Sequence, residues 1–283
     1  MYNSIGILYD DWGDFEKAIE YYNRSINIMR DENNNSGIAR VLNNLGLLYY
    51  TWGNFEKALE YLEASLEIEN ELNDLEGIAT SYCNIGIVLA DMKNTDLALE
   101  DYQKALDIYR KLNDKSGIAT ALNNLGDLYS ELGDHVLAIE MLEKSLMLEK
   151  EIADQYGISL AFATLSELYL KTEAIEISEK YNDSSFVFPK HINNPEVLLT
   201  VYSNYSKINE LKGNYRNALS YFKERTTLSD SIFNQNMLSQ LSDIKAKYEL
   251  EKKDQEIAAL TSKTRVRRII NILTVGGFFI IFI

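Results

Sequence analysis

Few side chains in this sequence are placed to do covalent chemistry. Two histidines, His135 and His191, and one cysteine, Cys83, make up the whole stock of such groups. With no second cysteine, neither a disulfide nor a metal site can form within the chain. Carboxylates are plentiful at 43, yet no pair stands apart from the others as a general acid and base. The sequence has no phosphate-binding glycine loop and no kinase phospho-acceptor box around either histidine. It therefore predicts no enzyme, no cofactor and no metal. What does recur is a carboxamide: Asn44, Asn84, Asn124 and Asn204 stand at a step of 40 or its multiple, and Ser4 and Thr164 fill the remaining places. A carboxamide both donates and accepts, so a row of them can bond a peptide backbone without reading its side chains. Four neutral hydrogen bonds at about 0.5–1.5 kcal/mol each contribute about 2–6 kcal/mol, whereas micromolar binding needs about 8. Selectivity must come from other groups, and bonding of the asparagines within their own helix pair is the competing reading.

The same step runs through the whole chain and names the elements that carry these residues. Gly13, Gly53, Gly133 and Gly213 keep it, with Lys93 and Glu173 in the missing places. So do Ala18, Ala58, Ala98, Ala138 and Ala218, with Ser178 between them, and Gly6, Gly46, Gly86 and Gly126 followed by Ser166 and Ser206. Gly37, Gly77, Gly117 and Gly157 form a further series. A fixed period in the range of about 20–50 residues is the mark of stacked supersecondary units. Ile38, Val41, Leu42, Leu45, Leu48 and Tyr49 step by three and four, as Phe55, Ala58, Leu59, Leu62 and Leu66 do, which predicts two amphipathic helices per unit. Gly53 can end the first in a left-handed conformation and Asn54 can cap the second. Two prolines in 283 residues leave little to break helices. Units are expected at about 1–35, 36–75, 76–115, 116–155, 156–195 and 196–235. The fifth departs most, since Glu173 and Ser178 replace the small residues and Phe186, Phe188, Pro189 and His191 disturb its second helix, which predicts a bend or a frayed hairpin.

Read as LNNLGLLYYTWGNFEKALEYLEASLEI, the second unit resembles the tetratricopeptide repeat through Leu45-Gly46, Tyr49, Gly53, Phe55, Ala58, Leu62 and Ser65. The step of 40 exceeds the family's usual period of about 34. This implies longer helices, similar to those of kinesin light chains and several peptide-sensing regulators. The resemblance implies an all-α superhelical solenoid whose first helices line a concave groove for a protein or peptide ligand, with Asn44, Asn84, Asn124 and Asn204 facing it. The family's carboxylate clamp needs Lys or Arg in neighbouring units. Here that register reads Arg40, Thr80, Thr120 and Thr200, which argues against it. His135 aligns with Phe15, Phe55 and Tyr215 and is expected to pack in its hairpin turn. Cys83 replaces Asn43 and Asn123 in its register.

Charge narrows the partners. The chain carries −15. Residues 236–268 hold eight cations against five carboxylates, a local +3, which leaves −18 to the rest. Such a surface argues against nucleic acid. In the same segment Met237, Leu241, Ile244 and Tyr248, then Ile257 and Leu260, keep a coiled-coil-like step, expected to form one long juxtamembrane helix and a possible homodimer contact. After Arg265 to Arg268, residues 269–283 contain no charge. At a rise of about 1.5 Å per residue they reach about 22 Å of the roughly 30 Å of a bilayer core, which predicts a truncated transmembrane helix. Met1 aligns with Val41 inside a first helix, so a fragment or a misplaced start is expected. The order of parts, with KAKYELEKKDQEIAAL at Lys245 to Leu260, resembles the N-terminal half of bacterial membrane-bound sensor histidine kinases and helix-turn-helix regulators. The resemblance implies the sensory, partner-binding part of a single-pass membrane signalling protein; a membrane-anchored scaffold without signalling output is the alternative. The Arg265 to Arg268 cluster favours cytoplasmic repeats and the resemblance favours the other side, so the side is left open.

Overall fold

The computed structural model describes residues 2–187 and 195–232. Among them the chain is helical throughout, with no strand: α1 (Tyr2–Asp11), α2 (Phe15–Asp31), α3 (Asn35–Thr51), α4 (Phe55–Leu72), α5 (Leu75–Asp91), α6 (Thr95–Leu112), α7 (Lys115–Glu131), α8 (His135–Glu151), α9 (Gln155–Lys171), α10 (Ile175–Val187), α11 (Pro195–Leu211) and α12 (215–232). Odd and even helices pair into antiparallel hairpins, and each hairpin packs on the next. One compact unit spans Met1–Leu228 and a second Ser229–Ile283. The coiled-coil-like helix expected at 236–268, its homodimer contact and the transmembrane segment expected at 269–283 all lie outside the described residues. Within the described residues no helix is long and apolar enough to cross a membrane.

The punctuation follows from backbone sterics. Gly13, Gly53, Gly133 and Gly213 take φ between +70° and +80° at the turn inside a hairpin, a region in which a Cβ is penalised. Lys93 and Glu173 adopt the same conformation, at φ 63° and 60°, because the turn is held by its neighbours on both sides. The connection between hairpins uses the left-handed region too, through Asn33, Asn73, Asn113 and Ala153. The following Asp or Asn then caps the next helix. Asn54 Oδ1 accepts from the Lys57 amide at 3.1 Å and Asp74 Oδ1 from the Gly77 amide at 3.1 Å.

Small residues meet large ones at the hairpin crossing. A Cβ on Gly46 would lie 2.5 Å from Leu62 Cγ, and one on Gly86 2.5 Å from Tyr102 Cε1. Tyr22, Leu62, Tyr102 and Leu142 thus occupy one position of the second helices, each fully covered, with Ala18, Ala58, Ala98 and Ala138 buried one turn earlier. The fifth hairpin fills that crossing differently. Ser166 replaces the glycine and Asn182 the large apolar residue, and Ser178, Asn182 and Ser185 are all wholly buried. The Ser178 hydroxyl donates to the Ser166 carbonyl at 2.8 Å, and Asn182 Nδ2 donates to the Val201 carbonyl at 3.1 Å. Its hairpin closes, and α10 is described over Ile175–Val187. Phe188, Pro189 and His191 lie outside the described residues.

Candidate functional site

The first helices approach one another directly: α1 touches α3, α3 touches α5, α5 touches α7, and α9 touches α11. Between α7 and α9 the link is a side-chain one, Lys171 Nζ donating to Ser130 Oγ at 3.4 Å, and the repeated asparagines lie along the first helices. Three of the four bridge neighbouring units through the same offset of 41 residues. Asn44 Nδ2 donates to Asn3 Oδ1 at 3.1 Å, Asn84 Nδ2 to Asn43 Oδ1 at 2.8 Å, and Asn204 Nδ2 to the Ala163 carbonyl at 2.9 Å. These rungs run between hairpins rather than within one, so they couple the stack. Each uses one N–H of a group that has two N–H donors and two lone pairs. Asn44 and Asn84 stay half-exposed, whereas Asn204 is buried. Asn124 Nδ2 is enclosed and has no partner. The acceptor it would need, 41 residues earlier, is Cys83 where the preceding unit has Asn43. Ser4 is exposed, and the Thr164 hydroxyl turns back to the Leu160 carbonyl of its own helix.

Two further orphans have the same origin. Asn123 Oδ1 and Glu149 Oε2 are enclosed without a partner. In the second and third units the equivalent atoms are served, because Asn43 Oδ1 receives Asn84 and Glu69 Oε2 receives the Ser81 hydroxyl at 2.7 Å. In the fifth unit those donors are replaced by Thr164 and Ala161. The other oxygens are held in both places: Ser65 Oγ donates to Glu69 Oε1 at 3.0 Å, and Ser145 Oγ and Asn123 Nδ2 both donate to Glu149 Oε1 at 3.0 Å. Glu69 thereby ties its hairpin to the next through Ser81, whereas the bonds of Glu149 stay within the α7–α8 hairpin.

One helical turn beyond the asparagine register, the face changes character along its length. Ile7, Leu47 and Ile87 give way to Asp127, Glu167 and Lys207. A turn further on stand Asp91, Glu131 and Lys171. Asp127 is open to solvent on one edge. Its surroundings nevertheless desolvate the carboxyl, and the charges of Glu167 and Glu131 add to this, so its pKa is pushed up to about 6. Asp91 accepts from the Tyr50 hydroxyl at 2.8 Å. The face ends in a cavity of about 550 Å³ between α9 and α11, closed on one side by Arg225 of α12 and lined by Glu167, Lys171, Asn204 and Lys207. A smaller polar cavity of about 280 Å³ lies between α3 and α5 around Arg40, Asn43 and Glu69.

Of the register Arg40, Thr80, Thr120 and Thr200, Thr200 lines the first of these cavities and Arg40 and Thr80 the second, but the register does not contain the cations of the first. Lys171 and Lys207 occupy two other registers of their helices, and Arg225 comes from a second helix, so only the packing of α9, α11 and α12 brings them together. His135 begins α8 half-buried with an enclosed Nδ1, and His191 lies outside the described residues. Cys83 is buried and burial pushes its thiol up to about 12. Among the described residues no cluster of His, Cys, Asp or Glu could hold a metal ion.

The tetratricopeptide repeat family model matches residues 1–71 and 77–148, half of the chain. The chain belongs to the tetratricopeptide repeat family. Solved structures with the same fold include BtubC from P. vanneervenii, with 18% identity, a TM-score of 0.67 and coverage of 77% of this chain and 91% of that one. TPR-like repeats of a Podosopora anserina kinesin light chain align at 14% identity and TM-score 0.57, over 69% of this chain and 96% of theirs. A Rap protein complexed with competence and sporulation factor aligns at 16% identity and TM-score 0.63, over 83% of this chain and 75% of its own. At these identities the likeness is one of fold. No curated protein sequence matches the chain at a significant level.

Proposed function

We propose that the TPR array is the ligand-binding part of a membrane-anchored signalling protein and takes an extended peptide or protein segment along the face of its first helices. The observation that carries this reading is the face itself. It runs along the first helices, is apolar at Ile7, Leu47 and Ile87 and charged beyond them, carries carboxamides with unused hydrogen-bonding capacity, and ends in a cavity within the usual range of about 300–1,000 Å³ for ligand sites. The Rap protein solved with competence and sporulation factor has the same fold, which supports a ligand-binding use of the architecture. Membrane anchoring rests on the uncharged stretch at 269–283 behind Arg265 to Arg268, and signalling on the order of parts, with occupancy of the face altering the helix expected at 236–268.

Binding is tested by fluorescence anisotropy with labelled peptide libraries on the full chain, beside Asn84→Ala and Asn124→Ala variants of measured melting temperature. Retained folding with weaker capture supports the reading, and failure of every peptide to bind the folded chain rejects it. Anchoring is tested by flotation with phosphatidylcholine–phosphatidylglycerol vesicles, and a full chain that stays at the bottom of the gradient removes that half.

A further inference from the structure

Both tryptophans of this chain, Trp12 and Trp52, stand half out in solvent, at 47% and 49% exposure, although tryptophan is among the side chains that folding covers well on average. They fill one register at the ends of first helices, eight residues past the asparagine register, and Met92 and Leu132 continue it. Leu132 is exposed too, Met92 is half-buried, and Thr172 and Lys212 end the row. Four consecutive hairpin turns thus carry an apolar ridge. Its rings are held in place by their neighbours. Trp52 lies against Phe15 of the preceding unit at 5.5 Å and stacks on Tyr49 at 5.9 Å, and Trp12 meets Tyr9 edge-on at 5.4 Å. A hollow of about 390 Å³ opens beside Trp52 toward Asn54, Glu56 and Lys57. Neither indole N–H has an acceptor among the described residues. The ridge is bordered by acid, since the turns at 11–17, 51–57, 91–97 and 131–137 hold eight carboxylates against three lysines. Two of those lysines are already engaged, Lys17 by Asp14 at 3.4 Å and Lys93 by Glu131 at 3.1 Å.

We propose that this edge is a second binding surface, separate from the asparagine register, and takes a proline-rich segment of a partner protein that carries basic residues. A polyproline helix turns once every three residues and advances about 9 Å in doing so. The first helices that bear the ridge touch their successors, at the usual axis spacing of about 8–10 Å. A proline at every third position therefore meets Trp12, Trp52, Met92 and Leu132 in turn, over about ten residues. Such a segment has no internal hydrogen bonds, so its carbonyls are free to accept from the two indole N–H groups. In an α-helix laid on the same ridge those carbonyls are occupied. Proline and a packed indole are both rigid, so their contact costs little ordering entropy. Basic residues between the prolines face the carboxylates along the ridge, and the same carboxylates repel an anionic membrane surface.

The test uses the full chain and dodecapeptides. The first repeats Pro-Arg-Ala, the second has the same composition with its prolines out of step, the third carries Glu for Arg, and the fourth carries Ala for Pro. Affinity is read by anisotropy of fluorescein-labelled peptides. Emission from the two tryptophans, followed with unlabelled peptide, reads the ridge without any substitution. The first peptide is expected to bind about tenfold tighter than the other three and to move tryptophan emission to shorter wavelength over the same concentrations. Trp12→Gln with Trp52→Gln is expected to remove that advantage with the melting temperature unchanged. The proposal is overturned if the first peptide fails to bind, binds no tighter than the second or the fourth, binds the double variant unchanged, or binds without moving tryptophan emission. A tryptophan shift produced without peptide, by phosphatidylglycerol vesicles or by dimerisation of the chain, overturns it as well, since the edge then belongs to lipid or to a second copy. Each of these failures leaves peptide capture at the asparagine register as it stands, because that reading is tested by Asn84→Ala and Asn124→Ala.

Discussion

The second and fifth hairpins occupy equivalent places in the stack and are closed by opposite chemistry. In the second, Leu62 lies against Gly46 with no atom between them, and Ser65 and Ser81 serve both oxygens of Glu69. In the fifth, Ser166 and Ser178 meet through hydrogen bonds, Asn182 Nδ2 donates instead to the Val201 carbonyl of α11, and Asn182 Oδ1 is left without a partner. Both turn at the same point and pack on their neighbours. The contrast teaches that period and turn geometry place a hairpin, while complementarity between one small and one large residue, or one donor and one acceptor, decides how firmly it closes. Because the partners sit in adjacent copies, a substitution in one unit leaves its orphan in another: Cys83 strands Asn124, Thr164 strands Asn123, and Ala161 strands Glu149.

The largest effect should come from giving the second hairpin the fifth one's chemistry. Leu62→Asn removes a fully buried side chain and strands an amide beneath Gly46, and should cost about 2–5 kcal/mol in urea denaturation. A loss below 1 kcal/mol would show that the crossing is looser than its geometry. Next, Ser81→Ala copies the fifth unit's Ala161 and leaves Glu69 with one unserved oxygen. A cost of about 1–3 kcal/mol is expected, and Ala161→Ser should recover part of the equivalent loss at Glu149. Cys83→Asn completes the broken rung and should raise stability by about 0.5–1.5 kcal/mol; an unchanged melting temperature would mean that water already serves Asn124. Lys93→Gly relieves a side chain at φ 63° and should add a further increment of about 0.5–1 kcal/mol. The smallest effect is a pH dependence. Asp127 titrates near 6 in the folded chain against an ordinary 3.8, so the fold binds this proton more tightly than the unfolded chain does. That contribution is full below about pH 4 and is lost as pH rises through about 6. Asp127→Asn should flatten the melting temperature between those values, and an identical pH profile would show that Asp127 is not the group responsible.

The repeat was legible because it is written in residues with few substitutes. Glycine at a positive φ, Asp or Asn at a helix start and a small residue under a large one each have a local physical cause that survives in a single sequence. The asparagine register was legible too, but its use was not: whether Nδ2 meets a ligand, its own hairpin or the next one depends on the distance between stacked helices, which no spacing within one helix encodes. The cationic cavity escaped for the same reason, since Lys171, Lys207 and Arg225 stand on three helices and share no register.

What the sequence determined alone is the local part: helices from apolar periodicity, their ends from turn and cap residues, and their number from a constant step. Those terms act over a few residues, so the chain specifies them before it folds. Only the tertiary structure decided which polar atoms are satisfied, which are stranded and which charges converge. These depend on pairs brought together from neighbouring copies, and a hydrogen bond or an ion pair exists only when packing sets its two partners within a few ångströms.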